Sequence, residues 1–213
     1  MNHHRSQAQP YFLNLSYTWA HEYGNDNGLL DLQHGDPGYI GQTPEFDYPE
    51  MQTGGTGDLN QDIRHSFVAS GVYYFNNGLN VGAVLGAHTG QPLSCFGTYT
   101  IDPNSYVAQN YGAYTYVCGG KVVPLGSAGR LPFFWSLSLS AGYDWKVTPH
   151  NDLQFNFKVY NVTNRKGVIN RNQTYDQGYI PATGLPPRNV YYGMPSWQAP
   201  RTVEFDVRYT WSQ

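Results

Sequence analysis

The sequence predicts an all-β chain: an antiparallel transmembrane β-barrel segment of about six long strands, an incomplete barrel with short periplasmic turns and long extracellular loops. Three observations carry this. Apolar and polar residues alternate strictly in several segments, the period-2 mark of a strand with two unlike faces. Each segment is close to the roughly 9–11 residues a tilted barrel strand needs to cross a bilayer, longer than the roughly 5–6 usual for soluble strands. Connections between the segments are long, short, long, short and long in turn, and barrels of this kind place turns and loops at opposite ends.

Composition agrees. Aromatics reach 16%, charged residues only 13%, and there are 24 Gly and 14 Pro among 213 residues. Aromatic and β-branched residues fit a pleated surface, and Gly and Pro shape turns. A net charge of −3 gives no electrostatic case for nucleic acid. Mean hydropathy is −0.52, which a barrel tolerates because only alternate residues meet lipid.

The elements follow in order. Residues 1–9 are polar and read as a disordered lead, with His3 and His4 forming no recognisable metal site. Leu13, Leu15, Tyr17 and Trp19 alternate with Asn14, Ser16 and Thr18. Two weaker segments follow: Phe67 to Phe75 fits either register, and Leu79 to Ala87 has Leu79, Val81, Ala83, Leu85 and Ala87 in one row. Asn76-Asn77-Gly78 between them is a tight hairpin turn. Trp135 to Trp145 and Leu153 to Val159 make a second hairpin across Thr148 to Asp152. Val203, Phe205, Val207, Tyr209 and Trp211 alternate with Thr202, Glu204, Asp206, Arg208 and Thr210. No Lys, Arg, Asp or Glu enters an apolar row. Trp19, Trp135, Tyr143, Trp145, Tyr209 and Trp211 sit toward row ends, where membrane-interface girdles belong. Loop parity brings the last strand from outside to periplasm. Known single-chain bacterial barrels have at least about eight strands, so further strands and a secretion signal are expected upstream.

The long links run from about Tyr23 to Asp62, Cys95 to Arg130 and Arg165 to Pro200. Cys95 and Cys118 share the second and read as a loop disulfide, with free thiols the alternative. Tyr111, Tyr114 and Tyr116, in the same Tyr-rich stretch, are candidates for ligand contact; packing of the loop is the competing role. No nucleophile elbow, phosphate loop or His-Glu-x-x-His occurs. No enzymatic activity, cofactor or metal is expected.

Several stretches together resemble a known family. Asp58-Leu59-Asn60-Gln61-Asp62-Ile63-Arg64-His65-Ser66-Phe67 leads into Gly71-Val72-Tyr73-Tyr74-Phe75, then Thr89-Gly90-Gln91-Pro92-Leu93-Ser94. Gly129-Arg130-Leu131-Pro132 precedes the Trp135 strand, Asn161-Val162-Thr163-Asn164 closes its hairpin, and Ala199-Pro200-Arg201 opens the last strand. In order and spacing over roughly residues 10–211, within a barrel portion taken as 10–213, they resemble the C-terminal strands of TonB-dependent outer-membrane receptors, closest to the Oar-like, carboxypeptidase-regulatory-like group. The resemblance implies a barrel of about 22 strands around a plug in the outer membrane of a Gram-negative bacterium. It implies uptake of a scarce nutrient such as an iron-siderophore, cobalamin or a glycan. Implied partners are outer-membrane lipid, upstream strands and plug, TonB through that plug, and the assembly machinery through the C-terminal strand. The ending departs from the pattern, since Ser212 and Gln213 follow Trp211. Two other readings stand beside it: a small stand-alone outer-membrane barrel, and a soluble β-sandwich carbohydrate-binding module.

Overall fold

A computed structural model describes residues 10–26, 46–181 and 184–211. The 1–9 lead, part of the first long link and the final Ser212-Gln213 lie outside the described residues. Six strands dominate: β1 (Tyr11–Trp19), β2 (His65–Tyr74), β3 (Leu79–His88), β4 (Phe134–Thr148), β5 (Asn151–Tyr160) and β6 (Thr202–Trp211). They form one antiparallel sheet in chain order, each strand beside the next. The sheet is open, with β1 and β6 at its two edges.

Register makes two continuous faces. Leu13 lies opposite Gly71, Gly71 opposite Ala83, Ala83 opposite Leu139, Leu139 opposite Val159 and Val159 opposite Val203. The apolar rows therefore merge into one surface across all six strands, broken only by His65 at the loop end and by Thr148 and Asn151 at the turn end. The stretch from Phe67 settles into the register that puts Phe67, Ala69, Gly71 and Tyr73 on this face. Its ambiguity came from Val68 and Val72, which stand on the other face among serines. On that second face Glu204 pairs with Lys158 at 2.6 Å and Asp206 accepts from Asn156 at 3.3 Å.

The short connections lie at one end. Gly78 turns with φ +90°, Gly78 N–H donates to Phe75 O, and Asn77 Oδ1 accepts from Leu79 N–H at 3.1 Å. A Cβ at Gly78 would also stand 2.7 Å from Asp144 O, so the position favours glycine twice over.

The described parts of the long connections, L1 (20–64), L2 (89–133) and L3 (161–201), fold together at the other end. Their described residues hold short strand pairs, a 3₁₀ turn at Pro49–Gln52 and one α-helix, α1 (Tyr106–Asn110), capped by Ser105 Oγ. The hydrophobic core of the described residues sits here. Met51, Val107 and Val117 are buried in one cluster, and Phe96, Tyr116 and Leu125 in another. The sheet holds none of it: Phe96 in L2 is 0% exposed while Phe205 on the apolar face is 64% exposed.

Candidate functional site

The described parts of the three loops form a cap that is tied together at the loop bases. The main clamp is ionic. Asp62 is fully buried, and its Oδ1 accepts from Glu22 N–H at 2.9 Å and His21 Nδ1 at 3.1 Å. Its Oδ2 accepts from Arg64 Nε at 3.1 Å and from an Arg130 guanidinium nitrogen. Asp58 Oδ2 takes Arg64 at 2.9 Å and Arg130 at 2.8 Å. The other Arg130 nitrogen donates to Asp62 O at 2.9 Å and Gly90 O at 3.2 Å. Burial alone would raise the Asp62 carboxyl, but the donors from Arg130, Glu22, His21 and Arg64 outweigh it and hold the group well below the usual carboxylate range. Burial likewise works against the Arg130 charge, and the two carboxylates more than offset it.

His21, Asp58 and Asp62 bring potential metal-ligand atoms within 4.8 Å of one another. Two guanidinium groups already occupy the same carboxylate oxygens. A cation would have to displace both, so the cluster is a salt-bridged joint between L1 and L2.

L3 is tied by separate devices. Buried Asp176 accepts from Thr98 N–H at 2.8 Å, Thr98 Oγ1 at 2.7 Å and Gly178 N–H at 2.9 Å. Asn161, at positive φ, donates to Arg165 O and Ala199 O, and Asn164 Oδ1 accepts from Arg201 N–H at 3.0 Å. Gly90 admits Leu131 O so closely that a Cβ would lie 1.6 Å from it.

Apart from Gly71–Phe75, at the turn end of β2, the stretches that carried the family likeness are therefore mainly loop bases. Asp58–Arg64, Gly129–Arg130, Asn161–Asn164 and Ala199–Arg201 all sit where loop meets sheet. Their roles were missed in the sequence. Charged residues spaced four and two apart, in a chain with few charges, were the available signal.

Cys95 and Cys118 are joined in a disulfide within the cap, their Cα atoms 6.2 Å apart. The tyrosine candidates do not form one surface. Tyr116 is buried against Phe96, so it serves packing and cannot reach a ligand in this arrangement. Tyr111 and Tyr114 pack partly buried on the other cluster. The Tyr111 hydroxyl donates to Asp47 at 2.7 Å, and that bond, with burial, pushes its pKa up to about 12.

The aromatics expected as girdles divide between the two ends of the apolar face. Trp19 opposes His65 and Trp135 opposes Ala87 beside the loops. Tyr143 opposes Leu79, Trp145 and Tyr209 both oppose Leu153, and Trp211 opposes Asn151 beside the turns. Trp135 also lies beneath the Arg165 guanidinium, 5.2 Å from its ring centre. Between these levels the face dips into a trough of about 760 Å³ over Ala69, Gly71, Ala83 and Ala141.

The fold is an all-β chain with an open antiparallel sheet, one largely apolar face and a clamped loop cap. The chain is similar to the TonB-dependent transporter Oar of Myxococcus xanthus, 28% identical over 242 residues covering 97% of this chain. It spans 21% of that protein's length. The similarity supports a relationship to TonB-dependent receptors. No protein-family profile and no solved structure matches the chain. No helix among the described residues is long and apolar enough to cross a membrane, which says nothing of strands.

Proposed function

We propose that this chain is the C-terminal barrel portion of a TonB-dependent outer-membrane transporter that imports a scarce nutrient and carries out no reaction of its own. One observation carries the reading: the apolar rows of six long strands merge, by register, into a single face on which no side chain is buried. Water penalises such a surface by roughly 25 cal/mol per Å² of apolar area, whereas lipid does not. Aromatics at both ends of the face fit the two interfaces. Likeness to Oar over almost the whole chain supports the same reading. The open edges at β1 and β6 are then sites for neighbouring strands of the larger barrel, since lipid cannot satisfy unpaired backbone groups. Lipid meets the apolar face, the plug meets the polar face, TonB acts through the plug, and the assembly machinery reads β6.

The test is topological. In whole cells expressing the full-length protein, Ser127→Cys in the cap should react with a membrane-impermeant maleimide. Asn77→Cys at the turn end should react only after the outer membrane is opened. Equal labelling of both in intact cells, or recovery of the protein in the soluble fraction, would sink the reading.

A further inference from the structure

Between L2 and L3 lies a cleft of about 310 Å³ whose lining includes Arg130, Arg171, Asn172, Gln173 and Tyr192. Gln173 is buried, and its Oε1 already accepts from Ser94 N–H at 2.5 Å. Asn172 Oδ1 already accepts from Thr174 N–H at 2.9 Å. With both amide oxygens occupied, these side chains have N–H left to offer. Tyr192 adds a hydroxyl, and its ring is held at 5.1 Å from Tyr175 with Arg188 over both rings at 5.4 Å.

Two arginines line the cleft and no carboxylate does. Arg130 is neutralised, because it, Arg64, Asp58 and Asp62 form a set of two cations and two anions. Arg171 is not: among the described residues its guanidinium makes one hydrogen bond, to Gly193 O at 3.2 Å, and no ion pair. A cavity with one uncompensated guanidinium and three neutral donors is complementary to an oxyanion, which accepts at every oxygen and pairs with the arginine fork.

We propose that this cleft binds an oxyanionic group, carboxylate or phosphate, of a ligand approaching the cap, with Arg171 as its charge partner. Asn172, Gln173 and Tyr192 supply the remaining donors. The proposal rests on the cap being the ligand-facing end, but its test does not depend on transport.

Citrate and inorganic phosphate are titrated separately into the detergent-solubilised full-length protein by calorimetry at low ionic strength. Binding of citrate alone assigns a carboxylate, of phosphate alone a phosphate, and of both a general oxyanion site; each supports the proposal. Arg171→Ala should weaken the bound anion at least about tenfold, the scale of a hydrogen bond to a charged group. Arg171→Lys should fall between, because it keeps the charge and loses the fork. Arg208→Ala, on the polar face of β6, should change nothing, and added salt should weaken binding. Should Arg171→Ala misfold, the Lys variant and the salt dependence decide. Binding of neither anion, or equal binding by the Arg171 variants, overturns the proposal. Failure of the labelling test with intact citrate binding would remove the transporter reading and leave the cleft.

Discussion

The sheet and the cap solve the same folding problem in opposite ways. The sheet is regular and long, yet it buries no large side chain, and Leu15, Val203 and Trp211 on its edge strands are exposed. The cap is irregular, but it buries Phe96, Met51 and Leu125, closes a disulfide and holds two buried aspartates. One region carries its own core; the other buries no large side chain. The difference implies that the two respond to different insults: the cap to loss of a specific partner, the sheet to a change of polarity anywhere on one face.

The largest effect is expected from Asp62→Ala. It leaves Arg64 and Arg130 with one shared carboxylate instead of two, and breaking a buried pair costs about 3–5 kcal/mol. Limited proteolysis should then cut L1 and L2 while the strands stay protected; cap and sheet failing together would erase the distinction between them. The same group sets the response to acid. Its folded pKa lies below the unfolded value, so its stabilisation is fully present above about pH 5. It is lost as pH falls through about 4 toward the folded value, which amide exchange in the cap should follow.

Replacing Cys95 and Cys118 by serine should cost about 3 kcal/mol, from the chain-entropy estimate for a separation of 23 residues. Cap melting should drop and strand content should not, as read by circular dichroism. For the sheet, Leu139→Arg should impair insertion by about 2–4 kcal/mol, the cost of a mid-membrane arginine on a barrel's lipid face. Ser138→Arg, one residue away on the polar face, should insert normally. Equal behaviour of the two in membrane-extraction assays would refute two unlike faces. Lys158→Gln should have the smallest effect, because its pair with Glu204 is exposed on both sides; a clear loss of heat resistance would mean that the polar face is packed.

Legibility in the sequence followed the same division. Strand positions were readable because alternation is local: the rows beginning at Leu13, Leu79, Trp135, Leu153 and Val203 all fall within strands. Two limits showed. Tyr11–Trp19 and Phe134–Thr148 extend past the residues that alternate cleanly, because pairing with a neighbour carries a strand through weak sequence. The stretch from Phe67 was ambiguous until β1 and β3 fixed its register on either side. In the cap almost nothing was readable beyond the cysteine pair. Tyr116 looks like Tyr111 and Tyr114 in sequence, yet it alone is fully buried, since only contact with Phe96 distinguishes it.

Sequence by itself determined which residues share a face, since a strand turns its side chains over every second position whatever it meets. It also determined where the chain turns, through Asn76-Asn77-Gly78 and the break at Thr148. Tertiary structure alone decided that Asp62 meets Arg130 across 68 residues, that Asp176 meets Thr98 across 78, and that L2 and L3 enclose a donor-lined cleft. Those contacts depend on loops crossing in space, and no local period in the chain records them.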